Sequence, residues 1–492
     1  MYPRFTIARA GWIEREMRYV STVLRNPVAQ VTDGTRQRML ALLRKFGWNA
    51  TSFQILEPGF SYWFLGDEAC VAYVDTGRAW VVAGAPIASP NRLAQVAHAF
   101  VAEAHRRHKR VAFFATELRF ATDVGMDSIL IGQQPIWRPG EWNSILDGVK
   151  SLREQVRRAI SKQVVVRRLA ADATSSSWAF DQRAVEVLMN EWIGAKSIPA
   201  LGFLVALHPF SFCSERRYYV ATRGSSHVGF AAVTPVFGRD GWFIENLIRS
   251  HDAPNGTIEL LVDATMRDAA ASGSDFVTLG LAPLAGAVAP WLRAARKFGS
   301  LFFNFSGLEA FKAKFRPKEW CPIYLTYPRG QSRFLAVYDS LVAFAMGGLF
   351  RFGLRAVLWG PSIVLRTLAV LLVPWTLLVA SANSTYWFPS PLVKWAWVVF
   401  DTGICVALVT MRTKHASIPA AAVTAFIAVD ALITTAEALI FNVPRIRHWP
   451  EFLVILIAIA APAFATVILW NVRERGRCRA SSAIVADAES IH

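Results

Sequence analysis

An α/β fold followed by a helical membrane part is what this sequence predicts, on three observations. Apolar residues switch between periods of two and of 3.6 in short alternating segments through the first 330 residues. From about Ala356 onward the pattern changes to four long apolar stretches, each near the ~20 residues that a bilayer-spanning helix requires. The chain has 492 residues, more than one core ordinarily organises, so two or three domains are expected.

Residues 1–38 read as a basic amino-terminal helical segment, with Ile13, Met17, Val20 and Leu24 on one side and Arg9, Arg15, Arg18 and Arg25 elsewhere. That pattern suits a packing or interfacial helix better than a dedicated nucleic-acid contact. A first α/β unit, 39–141, has strand candidates at Ser61–Phe64, Ala69–Asp75 and Trp80–Ala85, a helix at Arg92–Arg107 and a strand at Arg110–Thr116. A second unit, 142–330, repeats the order on a larger scale. Helices at Val149–Ser161 and Ala179–Trp192 lead into strands at Tyr218–Thr222, His227–Pro235 and Gly241–Leu247. A helix at Gly256–Ala271, a strand at Phe276–Leu279, a helix at Ala289–Phe298 and a strand at Pro322–Tyr327 complete it.

Residues 331–355 combine Phe334, Leu335, Val337, Leu341, Phe344, Met346 and Phe350 with Arg333, Arg351 and Arg355, the composition of an interfacial helix or linker that would hold the soluble part against a bilayer. The membrane domain, 356–472, divides into spans near Ala356–Ser381, Leu392–Met411, Ile418–Phe441 and Phe452–Val472. Arg412, Lys414 and His415 lie between the second and third, and Arg473, Arg475, Arg477 and Arg479 open the tail, 473–492. They outnumber Arg445 and Arg447 in the last outward loop, so the positive-inside rule places the soluble part and the tail in the cytoplasm. Tyr386, Trp387, Phe388, Trp395 and Trp397 suit the water interface near the first outward loop. Arg366, Asp401, Asp430 and Glu437 fall inside spans, where ionisable groups are expensive and usually functional or paired; Asp430 and Glu437, seven apart, share a helix face.

Lys and Arg number 53 against 36 Asp and Glu, leaving a formal charge of +17, which attracts anionic lipid, nucleic acid or both. Five scattered cysteines, Cys70, Cys213, Cys321, Cys405 and Cys478, show neither metal-ligand spacing nor a paired framework, which fits a reduced compartment. No apolar segment with a cleavage site begins the chain, so a secretory signal is not expected. His105 and His108 have a metal-like spacing but no third ligand nearby, so no metal is expected. Lys150, Arg153, Arg157 and Arg158 mostly share one helix face, and Lys162, Arg167 and Arg168 come after them. They form either a solvated face or a binding surface for nucleic acid or anionic lipid.

Three runs between Trp242 and Tyr327 carry the most information. Pro254-Asn255-Gly256-Thr257 opens a helix, Gly280-Leu281-Ala282-Pro283-Leu284 ends a strand, and Phe303-Asn304-Phe305-Ser306-Gly307-Leu308-Glu309-Ala310-Phe311-Lys312-Ala313-Lys314-Phe315-Arg316-Pro317 is the third. In order and spacing these resemble the carboxy-terminal synthase domain of the bacterial phosphatidylglycerol lysyltransferases, also called multiple peptide resistance factors, over about residues 40–330. The resemblance implies tandem Gcn5-related acyltransferase-like units and transfer of an amino acid from aminoacyl-tRNA to an anionic membrane phospholipid such as phosphatidylglycerol. It also implies an enzyme of the bacterial cytoplasmic membrane. The superfamily's Arg/Gln-x-x-Gly-x-Gly/Ala signature for coenzyme A is absent, so no cofactor is expected.

The resemblance further implies catalytic positions at Glu245, Asn246, Arg249, Lys312 and Lys314, and substrate contacts at Asn255, Gly256, Thr257, Glu259 and Arg316. The basic helix bearing Lys150, Arg153, Arg157 and Arg158 becomes a tRNA or lipid surface. In that family an acid stands three positions before the arginine that Arg249 matches, whereas this chain has Asn246, with Glu245 beside it. Neighbours on a strand face opposite ways, so Glu245 replaces the missing acid only if the strand bulges there. The residues accordingly admit three readings: tRNA-dependent aminoacyl transfer to a phospholipid, acyl transfer from a non-tRNA donor, and a degenerate membrane-bound binding or regulatory module.

Overall fold

The computed structural model describes residues 33–170, 175–194, 202–205, 208–299, 303–345, 348–349, 352, 361–410 and 417–489. The expected helix over 1–30 lies outside them, as do Met346, Phe350, Arg351, Arg355, Arg412, Lys414 and His415. The chain divides into two compact units, the first reaching residue 352 and the second formed almost wholly by residues 353–492.

The first unit is built on one mixed β-sheet. Its strands are β1 (Ser61–Phe64), β2 (Cys70–Asp75), β3 (Ala79–Ala83), β4 (Arg110–Glu117), β5 (Asp127–Trp137), β6 (Val164–Leu169), β7 (Arg217–Arg223), β8 (Ser226–Val236), β9 (Gly241–Arg249), β10 (Phe276–Thr278), β11 (Ala282–Pro283) and β12 (Glu319–Tyr327). Helices α1 (Asp33–Phe46), α2 (Leu93–Arg106), α3 (Trp142–Gly148), α4 (Lys150–Ser161), α5 (Ser176–Gly194), α6 (Thr257–Ala271), α7 (Pro290–Gly299), α8 (Phe305–Ala313) and α9 (Arg333–Phe344) accompany it. Both halves follow one recipe. An antiparallel meander, β1–β3 or β6–β9, passes through a helix, α2 or α6, into a strand parallel to its last member, β4 or β10.

The halves then exchange strands. In the order β1-β2-β3-β4-β12-β5-β10-β9-β8-β7-β6, the first half's β5 lies beside β10, while the second half's β12 lies beside β4. β5 and β12 pair with each other along the whole of β12. Hydroxyls of Thr116, Thr326 and Ser128 link the three central strands at 2.8 and 3.0 Å, satisfying polar groups that the sheet buries. Sequence patterning missed β5 because Gly132, Gln133, Gln134 and Pro135 interrupt its apolar alternation. It missed β6 because Arg167 and Arg168 end that strand as charged residues on the sheet's edge.

Helices cover the sheet where apolar stripes meet it. In the first half Val96, Ala97 and Phe100 of α2 pack on Trp80, Val111 and Phe113, and a fully buried phenylalanine such as Phe100 contributes roughly 1.5–3 kcal/mol. In the second, Leu152 and Val156 of α4 and Leu261 and Met266 of α6 share a core with Trp137, Trp142 and Phe315. The opposite face of that half buries Trp178, Tyr218, Phe230 and Ile248.

The second unit holds α10 (Pro361–Ser381), α11 (Pro391–Thr410), α12 (Ser417–Glu437) and α13 (Trp449–Glu489). Two stretches, Thr424–Arg445 and Trp449–Val467, are long and apolar enough to cross a membrane. The Trp397 indole donates to Glu437 at 2.9 Å, and the Thr434 hydroxyl to Asp430 at 3.0 Å, so two of the acids expected in spans have polar partners there.

One glycine controls how α6 approaches α4. Gly256 has φ of 97°, and a Cβ there would run into the backbone carbonyl of Gln155 in α4. Gly256→Ala should therefore destabilise the first unit by about 2 kcal/mol or more, read as a lowered melting temperature of the detergent-solubilised protein; an unchanged value would show that the helices part without strain.

Candidate active site

The parallel pairs of the two halves differ where it matters. β3 and β4 stay together from Ala79 to Ala83, and Gly84 extends the pairing by donating to the Phe114 carbonyl at 2.6 Å. β9 and β10 pair only from Gly241 to Phe243 and then separate, although β9 remains bonded to β8 as far as Arg249. The second half thus has an open wedge beside Ile244–Arg249. The first half has none.

A β-bulge lies in this wedge. Val233 faces Ile244 and Ala232 faces Asn246, so Glu245 is the extra residue. The core contacts reflect the resulting change of phase: Trp242, Ile244 and Leu247 join the core beneath α6, whereas Phe243 and Ile248 join cores on the other face. Glu245 and Asn246 therefore share a face, the condition under which one could stand in for the other.

Glu245 is not free on that face. It accepts from Gln54 Nε2 at 3.0 Å and from Arg216 Nη1 at 2.6 Å. The other Arg216 nitrogen, Nη2, donates to Glu57, which also accepts from the Ser211 hydroxyl at 2.5 Å. All three charged side chains are buried. Burial pushes the Glu57 carboxyl up to about 7, with Glu245 adding to the rise while Arg216 and Ser211 oppose it. Burial, and then Arg216, lower the pKa of nearby His208. Glu57 Oε2, Arg216 Nε and Asn246 Nδ2 are buried and have no hydrogen-bond partner among the described residues. Orphaned polar atoms of this kind cost about 1–3 kcal/mol each, so their concentration at one place marks a site suited to a polar ligand rather than to stability.

The remaining predicted residues form a second group around the start of α6. Thr257 is buried and donates to the Pro254 carbonyl at 2.7 Å, closing the turn, while Asn255 is exposed. Glu259 accepts from Lys314 Nζ at 2.7 Å, and that ammonium lies 4.4 and 5.0 Å from the ring centres of Phe311 and Phe315. Arg316 is exposed, in a left-handed backbone conformation with φ of 50°. Arg249, at the exposed end of β9, donates to the Ala253 carbonyl at 3.4 Å and to no other group among the described residues. Glu245 and Asn246 on one side, and Lys314 and Glu259 on the other, are thus pairs that the fold brings together.

Lys312 occupies neither group. The run that contains it is a helix, α8, capped by the Asn304 side chain, which accepts from Gly307 N at 2.8 Å. Lys312 is buried in its last turn and donates to the carbonyls of Leu279, Gly280 and Leu281, each at 2.8 Å. Three donors meet three acceptors with no carboxylate present, and burial pulls the amine down to about 7. This lysine fixes the backbone where β10 turns away from β9. Gly280, with φ of 70°, permits the turn because a Cβ there would strike the Phe243 ring.

On α4, Arg153 donates to the carbonyls of Leu146 and Asp147, and Lys150 lies 3.9 Å from Glu154. Arg157 and Arg158 are exposed and form no ion pair among the described residues. Gln54, Glu57 and Arg216 are the residues that patterning missed. Glu57 and Arg216 are 159 positions apart, and Gln54 and Glu245 191 apart, so no local motif could announce them.

The raised Glu57 pKa has a definite sign in stability. The folded state holds a proton that an unfolded carboxyl releases near 4.5, so the contribution is fully present below 4.5 and is lost as pH rises through about 7. Glu57→Gln should flatten this loss, at most about 3 kcal/mol in size, and melting temperatures at pH 5 and 8 compared with those of the parent protein check it; parallel curves for the two proteins would contradict it.

The family model described as "Phosphatidylglycerol lysyltransferase, C-terminal" matches residues 40–327. The phosphatidylglycerol lysyltransferase of Bacillus subtilis (strain 168) is 26% identical over 335 residues, covering 65% of this chain and 38% of that protein. The chain thus spans well under half the length of that relative. Among solved structures, the carboxy-terminal DUF2156 domain of a putative lysylphosphatidylglycerol synthetase from Agrobacterium fabrum aligns with a TM-score of 0.55 at 22% identity, covering 64% of this chain and 98% of that one. L-PGS from Bacillus licheniformis aligns with a TM-score of 0.54 at 20% identity, over 63% and 96%. Both structures share the fold described above. With more than half its length matched, and the bulged β9, the Pro-Asn-Gly turn and the Lys312 helix all inside the match, the chain belongs to the phosphatidylglycerol lysyltransferase carboxy-terminal domain family.

Proposed function

We propose that this protein is a membrane-anchored aminoacyltransferase that moves an amino acid from aminoacyl-tRNA to an anionic phospholipid such as phosphatidylglycerol. The observation that carries this is the wedge between β9 and β10, where a bulge sets Glu245 and Asn246 on one face in a chain of this family. The fold assigned with it is a pair of Gcn5-related acyltransferase units, supported by the repeated meander, helix and parallel strand. The membrane domain assigned with it has four spans, α10 to α13, with the first unit on the cytoplasmic side.

In the reaction a lipid hydroxyl attacks the aminoacyl carbonyl. The bond from that carbonyl carbon to the tRNA ribose oxygen breaks, a lipid ester forms, and the hydroxyl proton passes to the departing ribose oxygen. The protein's part is to position both substrates and to stabilise the developing oxyanion. The unpartnered Asn246 Nδ2 is suited to donate to a substrate oxygen. Exposed Arg249 is suited to lipid phosphate. Lys314, paired with Glu259, lines the start of α6 together with Asn255, Gly256, Thr257 and Arg316. Lys312 acts by holding the wedge open through the Leu279–Leu281 carbonyls. Arg157 and Arg158, with Lys150 and Arg153, supply a basic face for the tRNA acceptor stem.

The charge of the site bears on which amino acid is carried. Asn246 supplies an amide where an acid would attract a cationic side chain, and Glu245 beside it is engaged by Arg216, which also holds Glu57. We therefore expect a neutral amino acid to be preferred to lysine.

Expression in a host without aminoacylated lipids, with lipid mass spectrometry as the readout, should reveal a new amine-bearing lipid. Absence of that lipid, together with no transfer from charged tRNA in vitro, would remove the proposal, and transfer from an acyl donor without tRNA would replace it with the second reading. Asn246→Asp should raise transfer of lysine relative to alanine by about tenfold, the equivalent of one interaction of about 1.4 kcal/mol; an unchanged ratio of initial rates would show that the amide does not select the side chain.

A further inference from the structure

Helix α9 is built inside out. Its inward residues are Ala336, Asp339, Ser340 and Ala343, all buried. Its outward residues are Phe334, Leu335, Tyr338 and Leu341, exposed at 55, 43, 48 and 50%. Phe334, Tyr338 and Leu341 recur at intervals of four and three, so with Leu335 they form one ridge along the helix.

The helix cannot roll to bury that ridge. Both oxygens of Asp339, itself only 2% exposed, accept from Arg110, at 2.8 Å from Nε and 2.6 Å from Nη2. A bidentate pair of this geometry fixes the rotation of α9 on β4. Phe344 at the far end packs against Phe114 and Phe203 with ring centres 5.0 and 5.1 Å apart. The sheet therefore holds α9 by its small and polar residues together with Val337 and Phe344, and leaves Phe334, Leu335, Tyr338 and Leu341 exposed.

We propose that this ridge lies in the headgroup and upper acyl layer of an anionic bilayer, docking the first unit on the membrane surface. Three features select a bilayer as the occupant. Exposed Arg329 and Arg333 sit at the amino-terminal end of the ridge, where they meet anionic headgroups, and the Arg333 guanidinium lies 5.1 Å from the Phe334 ring centre. The chain then continues into the apolar helix α10, which begins at Pro361 after 16 intervening residues in the sequence. One ridge of four side chains is well short of the ~800 Å² per partner that a stable protein dimer buries. α9 lies beyond residue 327, where the family match ends, so this docking does not depend on the transferase assignment.

The test uses the full chain with its native cysteines replaced. Tyr338→Cys and, as an aqueous control, Asp67→Cys are labelled with an environment-sensitive fluorophore and reconstituted in phosphatidylcholine vesicles containing phosphatidylglycerol. The label at 338 should be protected from aqueous iodide and quenched by shallow nitroxide lipids about twofold or more relative to 67. Adding Leu341→Glu, at an exposed position, should leave melting in detergent unchanged and reduce the nitroxide quenching. Equal iodide quenching at 338 and 67 would overturn the proposal by placing the ridge in water. Iodide protection without nitroxide quenching would overturn it too, by showing that protein, whether a second copy or another segment of this chain, covers the ridge.

Discussion

Arg216 is the group on which the arrangement of the site turns. Its guanidinium joins Glu57, just ahead of β1 in the first half, to Glu245, in the bulge of β9 in the second. A buried cation between two carboxylates adds little net stability, because desolvation offsets much of the Coulomb attraction. Removing one member, however, leaves an uncompensated buried charge, at a cost of about 3–5 kcal/mol. Such a cluster acts as a register device. It fixes which face of β9 carries Glu245 and Asn246 and how closely the two halves approach there. The strand exchange of β5 and β12 joins the halves through backbone bonds, and Arg216 joins them through charge.

Much of the fold was legible because it is local. The meander of β7, β8 and β9 reads as short apolar runs rich in aromatic and β-branched residues, and Gly256, with the residues around it, marks the start of α6. The features that define the site are not local. Glu245 and Asn246 look like opposite-facing neighbours until the partner strand, with Ala232 and Val233, reveals the extra residue. Lys312 reads as one cation of a Lys-x-Lys surface turn, yet its environment is set by carbonyls 31 to 33 positions away. β5 escaped notice because its central Gly-Gln-Gln-Pro suits no isolated strand; it is stable only between two partners.

The second unit shows a similar division. Hydropathy marked four apolar stretches, of which Thr424–Arg445 and Trp449–Val467 are long and apolar enough to cross a membrane. It could not say that Trp397 would reach Glu437, because that contact depends on how α11 meets α12. Helix α9 was visible as a mixture of aromatic, aliphatic and arginine residues, whereas which of them face outward depends on Arg110, 229 positions from Asp339.

Exchange of β5 and β12 also sets the order in which a newly made chain can mature. β4 and β5 have no partner between them until β12, at residues 319–327, has left the ribosome. Until then two inner edges of the sheet stand open to any other strand, the condition under which nascent chains aggregate. α9 comes at once afterwards in the sequence, so closure of the sheet falls in the last interval of the first unit's synthesis. The central strand that completes this unit is therefore among its last segments to be made, and a chain that stops short of it keeps both edges open.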